Sequence, residues 1–144
     1  MKNYHLKLIA VAIVAGLMSC TSQPSANDNL DSADQALSAG DYESTQSACD
    51  ELMHSCFDGL SVDQLCHMSV IYLKLAERAP EHDNTDMAVK CYRKALGINP
   101  DSVSIVLSSL PVEDLQYTAI LHNLVRAGNT DIAAEADSIP SDFE

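Results

Sequence analysis

The chain has 144 residues with no tryptophan, only two phenylalanines, and only five glycines and five prolines. Without tryptophan, a core has to be built from leucine, isoleucine, valine, alanine, methionine, cysteine and tyrosine. The scarcity of glycine and proline, together with little alternation of β-branched residues, argues against a turn-rich sheet protein. We therefore predict an all-α fold. The length suits one domain or a small array of helix pairs.

Positive charge is the second scarcity, because eight lysines and arginines stand against 21 aspartates and glutamates. Lys2 and Lys7 lie at the start, so the rest of the chain holds six cations against 21 acids, a formal net charge of −15. Such a body would be repelled by nucleic acid and by anionic lipid. We expect no nucleic-acid partner. Basic proteins or divalent cations fit better, and a well-solvated acidic surface is the simpler interpretation.

Long apolar runs are also scarce, and the clearest one lies near the N-terminus. Residues 8–18, Leu-Ile-Ala-Val-Ala-Ile-Val-Ala-Gly-Leu-Met, are uninterrupted by polar groups and follow a start with two lysines. A helix that spans a bilayer needs about 20 such residues. A basic start, a short apolar run and small residues are typical of a secretory signal.

The end of this run, Leu17-Met18-Ser19-Cys20, resembles the lipobox of bacterial lipoproteins. The resemblance implies a cleaved signal peptide at residues 1–19. It also implies a diacylglycerol on the sulfur of Cys20 and an acyl chain, such as palmitate, on its new amino group. Thr21, where aspartate would retain the protein, implies the outer membrane, with the periplasmic face favoured over the cell surface. The alternatives are an ordinary signal peptide and a cytosolic protein with an apolar start.

Residues 20–31 are predicted to form the lipidated cysteine and a flexible linker, because Thr21–Asn29 holds no aliphatic side chain larger than alanine. Residues 32–138 form the predicted helical domain, and residues 139–144 a polar tail. The clearest helix starts near Asp86. We predict that Gly97 forms its left-handed end and that Pro100 stops it.

Further helices are predicted from periodicity, caps and breakers. Ser61 begins the longest one, with Gln64 three residues later in a capping-box pattern. Gly128 is predicted to break the last long helix. The other predicted helices are Ser32–Ala39, Tyr42–Cys56, Ser102–Leu110 capped by Asp101, a helix beginning at Pro111, and Asn129–Ala136.

Two pairs of segments are similar within the chain. Leu60–Leu65 matches Leu110–Leu115, and Asn84–Ala88 matches Asn129–Ala133. Similarity at this spacing is typical of stacked helix pairs, although amphipathic helices also match by chance. The region around the Asp86 helix resembles a tetratricopeptide repeat at Tyr72, Leu75, Ala76, Ala88, Tyr92, Ala95 and Pro100. The resemblance implies a short α-solenoid of helical hairpins, like that of small uncharacterised envelope lipoproteins of Gram-negative bacteria, and no known activity.

Cysteine and histidine are the residues most suited to chemistry. Cys49, Cys56 and Cys91 fall on apolar stripes, where a thiol packs as a small hydrophobe. An oxidising compartment would permit a disulfide, for which Cys56 and Cys66 are the first pair, since a short turn joins their helices. His54, Cys56, Cys66 and His67 also offer four zinc ligands, but their spacing fits no established finger.

We find no nucleophile motif and no glycine-rich phosphate loop, so we expect no catalytic residue, no metal and no cofactor. His122 is interpreted as a core or rim histidine, and Tyr72 and Tyr92 as core residues. The leading prediction is a membrane-anchored, non-catalytic scaffold that binds a protein or peptide on concave helix surfaces. The alternatives are a self-associating envelope component and a Cys/His-dependent enzyme or metal-binding protein. Lys90, Arg93 and Lys94 form a basic flank that would meet an acidic partner or the chain's own carboxylates.

Overall fold

The structure is a computed structural model that describes residues 25–136, with side chains through residue 128. This part of the chain forms six helices and two short 3-10 turns, and it contains no strand, which confirms the all-α prediction. The predicted signal peptide, Cys20 and the predicted polar tail lie outside the described residues. The helices are α1 (Ala26–Ala39), α2 (Tyr42–Ser55), α3 (Val62–Arg78), α4 (Asn84–Ile98), α5 (Pro100–Ser108) and α6 (Leu115–Ala136).

Helix α1 starts earlier than predicted. Ser25 caps it in a capping box with Asp28, and Leu30 on its first turns is 3% exposed. Residues 26–31 are therefore helical and do not belong to a flexible linker. The local cap was overlooked because the segment before Leu30 carries no large apolar side chain to mark a helix face.

The first four helices form two hairpins. Gly40 ends α1 in the left-handed conformation, with φ 77°, and its N–H donates to the carbonyl of Leu37. Asp41 then caps α2 by accepting from the N–H of Ser44 at 3.0 Å. The second hairpin joins α3 to α4 through residues 79–83. The side-chain amide of Asn84, at the start of α4, donates to the carbonyl of Ala79.

Helix α3 is the centre of the fold, and the Asp86 helix (α4) is one of its neighbours. Helix α3 packs against all five other helices, and nine of its 17 residues are buried. Its predicted capping box is confirmed: Ser61 accepts from the N–H of Gln64, whose side-chain oxygen accepts from the N–H of Ser61. Six consecutive residues, Met68–Leu73, are buried, so the middle of α3 is covered on every side.

The predicted end of α4 is wrong. Gly97 lies inside α4, which continues to Ile98 and ends at Asn99 in an extended conformation. A residue before proline is driven out of the helical region, so Pro100 sets the end without a left-handed glycine. Asn99 also caps α5 by accepting from the N–H of Ser102, and Pro100 opens that helix. Asp101 is therefore inside α5 and is not its cap.

The predicted break at Gly128 is also wrong, because α6 runs through it from Leu115 to Ala136. Residues 129–136 are thus the end of α6 and not a separate helix. A Cβ at Gly128 would lie 2.5 Å from Nη2 of Arg93, so this glycine sits where an arginine of α4 crosses α6. The two similar segments that start at Asn84 and Asn129 do not occupy equivalent places in the fold, since Asn84 begins α4 and Asn129 lies within α6.

Candidate functional site

Three helices line a groove that we call the α1–α3–α5 groove. Its volume is about 500 Å³. Asp34 contributes from α1, five residues contribute from α3, and the remainder come from α5 and the turn after it. The lining residues are Asp34, Asp63, His67, Val70, Ile71, Lys74, Val106, Ser109, Leu110, Pro111 and Asp114.

The floor of this groove is the protein core itself. Val70 is 2% exposed and Ile71 is 1% exposed, and both belong to α3. Val106 and Leu110 are partly buried against the same core. An apolar side chain that enters the groove would therefore gain mainly by burying its own surface and the exposed part of Val106 and Leu110.

The polar residues of the groove carry an excess of negative charge. Asp34, Asp63 and Asp114 stand against one lysine, Lys74. The imidazole Nε2 of His67 lies 2.7 Å from a carboxylate oxygen of Asp34. Nζ of Lys74 lies 2.7 Å from Oδ1 of Asp114. These two opposite charges offset each other, so Asp34, Asp63 and His67 determine the remaining charge of the groove.

One residue pattern in the sequence marks the α3 side of this groove. Asp63, His67, Val70, Ile71 and Lys74 follow the 4-3-1-3 spacing of one helix stripe along α3. The sequence alone favours a well-solvated acidic surface, because no sequence pattern shows that α1 and α5 lie on either side of this stripe. The groove residues of α1 and α5 had no local signal.

Lys74, on α3, also contacts the start of α6. It lies 5.9 Å from the ring centroid of Tyr117, whose hydroxyl donates to a carboxylate oxygen of Glu77 at 3.1 Å. Burial raises the pKa of Tyr117, and the Glu77 charge adds to the effect. Tyr117 therefore stays protonated as a donor, and α6 is held to α3 through both Lys74 and Tyr117.

Four cysteines lie among the described residues, and all four are free thiols in this structure. Cys49, Cys66 and Cys91 are fully buried, which fits core packing. Burial raises the pKa of Cys49 to about 12, of Cys66 to about 11 and of Cys91 to about 12. A thiol is nucleophilic as the thiolate, so these three side chains are poor nucleophiles at neutral pH. Cys56 is half-buried and, like Cys66, is a free thiol in this structure, and a Cys56–Cys66 disulfide stays a prediction.

The zinc ligand set considered from the sequence is not assembled. Within the described residues, no group of three or more His, Cys, Asp or Glu side chains converges as a metal site would need. His67 faces Asp34, while Nδ1 of His54 lies 2.7 Å from the carbonyl oxygen of Asp50. His67, on α3, thus pairs with a carboxylate of α1, whereas His54 contacts a carbonyl of its own helix, α2.

Both tyrosines predicted for the core are buried, with Tyr72 0% and Tyr92 5% exposed. The Tyr72 hydroxyl donates to Oδ1 of Asp50 at 3.0 Å. Burial raises the pKa of Tyr72, and nearby thiols and the Asp50 charge act in the same direction. This hydroxyl is a structural donor that satisfies a carboxylate at the edge of the core.

The basic flank of α4 meets the chain's own residues. Nζ of Lys94 lies 2.7 Å from Oδ1 of Asp58 and 4.4 Å from the ring centroid of Phe57. Nζ of Lys90 lies 5.1 Å from the same centroid. Lys90 and Lys94 therefore pack on the turn after α2, whereas Arg93 lies against Gly128 of α6. All three basic residues thus contact this chain's own residues, one of the two possibilities that the sequence left open.

A second groove, the α5–α6 groove, lies between α4, α5 and the first part of α6 and has a volume of about 670 Å³. No aspartate, glutamate, lysine or arginine lines it. His122 is exposed at this groove, consistent with a rim histidine. The lining residues are Tyr92, Leu96, Pro100, Val103, Ser104, Leu107, Ser108, Leu115, Thr118, Ala119, His122 and Asn123.

Comparison of the chain with models of known families, with curated proteins and with solved structures found no significant match. Between residues 25 and 136, none of the helices combines the length and the apolar character that crossing a bilayer would require.

Proposed function

We propose that the protein is a lipid-anchored, non-catalytic binding protein of the bacterial cell envelope, whose α1–α3–α5 groove holds a segment of another protein. One observation carries the proposal: helices from three parts of the chain line a groove with a buried apolar floor and three carboxylates. Concave surfaces of this kind are the usual binding sites of helical-hairpin arrays.

The pairing of the helices supports this proposal. Helices α1 and α2 form one hairpin and α3 and α4 another, while α3 packs against both α1 and α5. The first helices of successive pairs thus lie side by side and expose a shared surface. In such arrays, each pair contributes one stripe of side chains to the ligand.

The chemistry of the groove favours a segment that is both apolar and basic. Its floor accepts aliphatic side chains, while the carboxylates of Asp34 and Asp63 lie where a lysine or arginine of the ligand would meet them. Arginine pairs with carboxylates through two parallel hydrogen bonds, which would add orientation to the contact. An acidic segment would be repelled both by this groove and by a chain with a net charge of −13.

The absence of catalysis is part of the proposal. It is supported by the raised pKa values of Cys49, Cys66 and Cys91, which keep these thiols protonated. The membrane attachment rests on the lipobox at Leu17–Cys20. Mass spectrometry of the mature N-terminus tests it: an acylated Cys20 is expected, and a full-length chain with an unmodified Cys20 would contradict it.

Photo-crosslinking in intact envelopes tests the binding site. A photoreactive amino acid at Ser109, exposed in the groove, should give a discrete adduct with another protein, whereas the same residue at exposed Ser55, outside the groove, should not. Asp63→Lys should abolish the adduct, because it places a cation where the ligand's cation binds. Asp86→Lys makes the same charge change on the exposed side of α4 and should leave the adduct unchanged. An adduct that is insensitive to Asp63→Lys would contradict the proposed contact.

A further inference from the structure

His67 is a residue of the α1–α3–α5 groove whose charge can change near neutral pH. It lies on α3 one turn after Asp63 and one turn before Val70 and Ile71 of the floor. The side chain of His67 is 39% exposed and that of Asp34 is 42% exposed, so both are open to solvent and to a ligand. Histidine gains or loses its proton between about pH 5 and about pH 8, whereas aspartate, lysine and arginine ordinarily keep their charges there.

The contact between His67 and Asp34 involves the carboxylate that a basic ligand would use. Nε2 of His67 lies 2.7 Å from Oδ2 of Asp34, which joins α3 to α1 at the groove. A protonated imidazole is a cation and forms an ion pair with such a carboxylate. A neutral imidazole donates one hydrogen bond at most and leaves the carboxylate its charge. The protonated side chain thus takes the place that a lysine or arginine of the ligand would take.

The other charged groups around His67 come from three elements. They are Asp31 and Asp34 on α1, Asp63 and Lys74 on α3, and Asp114 in the turn after α5. Lys74 and Asp114 pair with each other at 2.7 Å. Between Val106 and Pro111, the lining residues are uncharged. The groove lining therefore has a formal charge of −2 when His67 is neutral and −1 when it is protonated.

We propose that His67 regulates the α1–α3–α5 groove as a pH-sensitive competitor of the basic segment. The neutral imidazole leaves the charge of Asp34 to the ligand, whereas the imidazolium neutralises it; this inference rests on the proposed function of the groove. A ligand that prefers the unprotonated groove must, by linkage, favour release of the proton from His67. Binding therefore strengthens as pH rises and weakens as pH falls. For one half-exposed ion pair we expect a change of about fivefold.

Photo-crosslinking from Ser109 at two pH values tests the inference. Full-length chains in solubilised envelopes, diluted until the adduct is unsaturated, should give about five times more adduct at about pH 8 than at about pH 5.5. His67→Gln keeps a donor for Asp34 that does not titrate, so it should give the high yield at both pH values. His67→Lys keeps a cation and should give the low yield at both. His54→Gln removes an exposed histidine outside the groove and should leave the pH dependence unchanged.

The outcomes separate this inference from the proposed function. No adduct of the unmodified chain at either pH would contradict the proposed function and the inference with it. An adduct of equal yield at both pH values, or a pH dependence that persists in a His67 variant, would overturn the inference alone. Circular dichroism at both pH values identifies the folded variants. Either His67 variant decides the test without the other, because each should give a yield that does not change with pH.

Discussion

The two grooves on either side of α5 differ in charge and in what forms their floors. The α1–α3–α5 groove has an acidic rim and a floor of α3 core residues, Val70 and Ile71. The α5–α6 groove has no aspartate, glutamate, lysine or arginine in its lining, which comes from α4, α5 and α6. The difference teaches that one short helix can divide an acidic surface suited to a basic segment from an uncharged, largely apolar surface.

The largest expected effect breaks the core that the two grooves share. Leu75 of α3 is 0% exposed, whereas Ile105 of α5 is 69% exposed. Leu75→Ala should lower the free energy of unfolding by about 2–5 kcal/mol, because it removes buried methyl groups and leaves a cavity. Ile105→Ala should change it by less than about 0.5 kcal/mol. Urea unfolding followed by circular dichroism measures both, and equal losses would contradict the assignment of α3 as the centre.

Two ion pairs of equal length sharpen the comparison next. Lys74–Asp114 and Lys94–Asp58 both have 2.7 Å contacts, but the side chain of Asp114 is 13% exposed and that of Asp58 is 100% exposed. Lys74→Met should lower the free energy of unfolding by about 1–3 kcal/mol, because it leaves a half-buried carboxylate without its partner. Lys94→Met should have the smaller effect, since exposed pairs are screened by water. The reverse order in urea unfolding would contradict the role of Lys74 in holding α6 to α3.

Two glycines distinguish a left-handed turn from a helical position. Gly40 has φ 77°, so Gly40→Ala should lower the free energy of unfolding by about 1 kcal/mol. Gly97 lies inside α4 with nothing within 4 Å of an added Cβ, so Gly97→Ala should raise it by about 0.5–1 kcal/mol. Thermal unfolding of the two variants checks the opposite signs. A lower free energy of unfolding for Gly97→Ala would instead support the left-handed helix end that the sequence predicts at Gly97.

The smallest effect concerns pH. Hydrogen bonds from the Ser44 side chain and backbone hold the pKa of Asp41 below its usual value. Stability from this cap is therefore present above the unfolded pKa of about 4 and is lost as pH falls through the lower, folded value. Asp41→Asn keeps a good cap and does not titrate. Its unfolding should resemble that of the unmodified chain at pH 7 and decline less between pH 5 and pH 3; an identical decline would argue against the lowered pKa.

Local chemistry made much of the fold predictable. The capping box at Ser61 and the stop at Pro100 are short-range features, and the start of α3 and the end of α4 follow from them. The errors arose where tertiary packing overrode a local rule. Gly128 was expected to break a helix, but α6 continues through it alongside Arg93 of α4.

The grooves were less predictable than the helices, because each is made by helices from different parts of the chain. The stripe from Asp63 to Lys74 was visible in the sequence, but its role depends on where α1 and α5 lie. Asp34 is 29 positions before Asp63, and Asp114 is 40 positions after Lys74. No periodicity within one helix predicts such contacts.

A single crosslinking experiment tests most directly that the α1–α3–α5 groove is a binding surface. Chains with the photoreactive residue at Ser109 are prepared unmodified, with Asp63→Lys and with Asp86→Lys, and the adduct is measured in intact envelopes. We expect Asp63→Lys to abolish the adduct and Asp86→Lys to preserve it. An adduct that both variants keep, or that both lose while their circular dichroism spectra stay unchanged, would contradict the account.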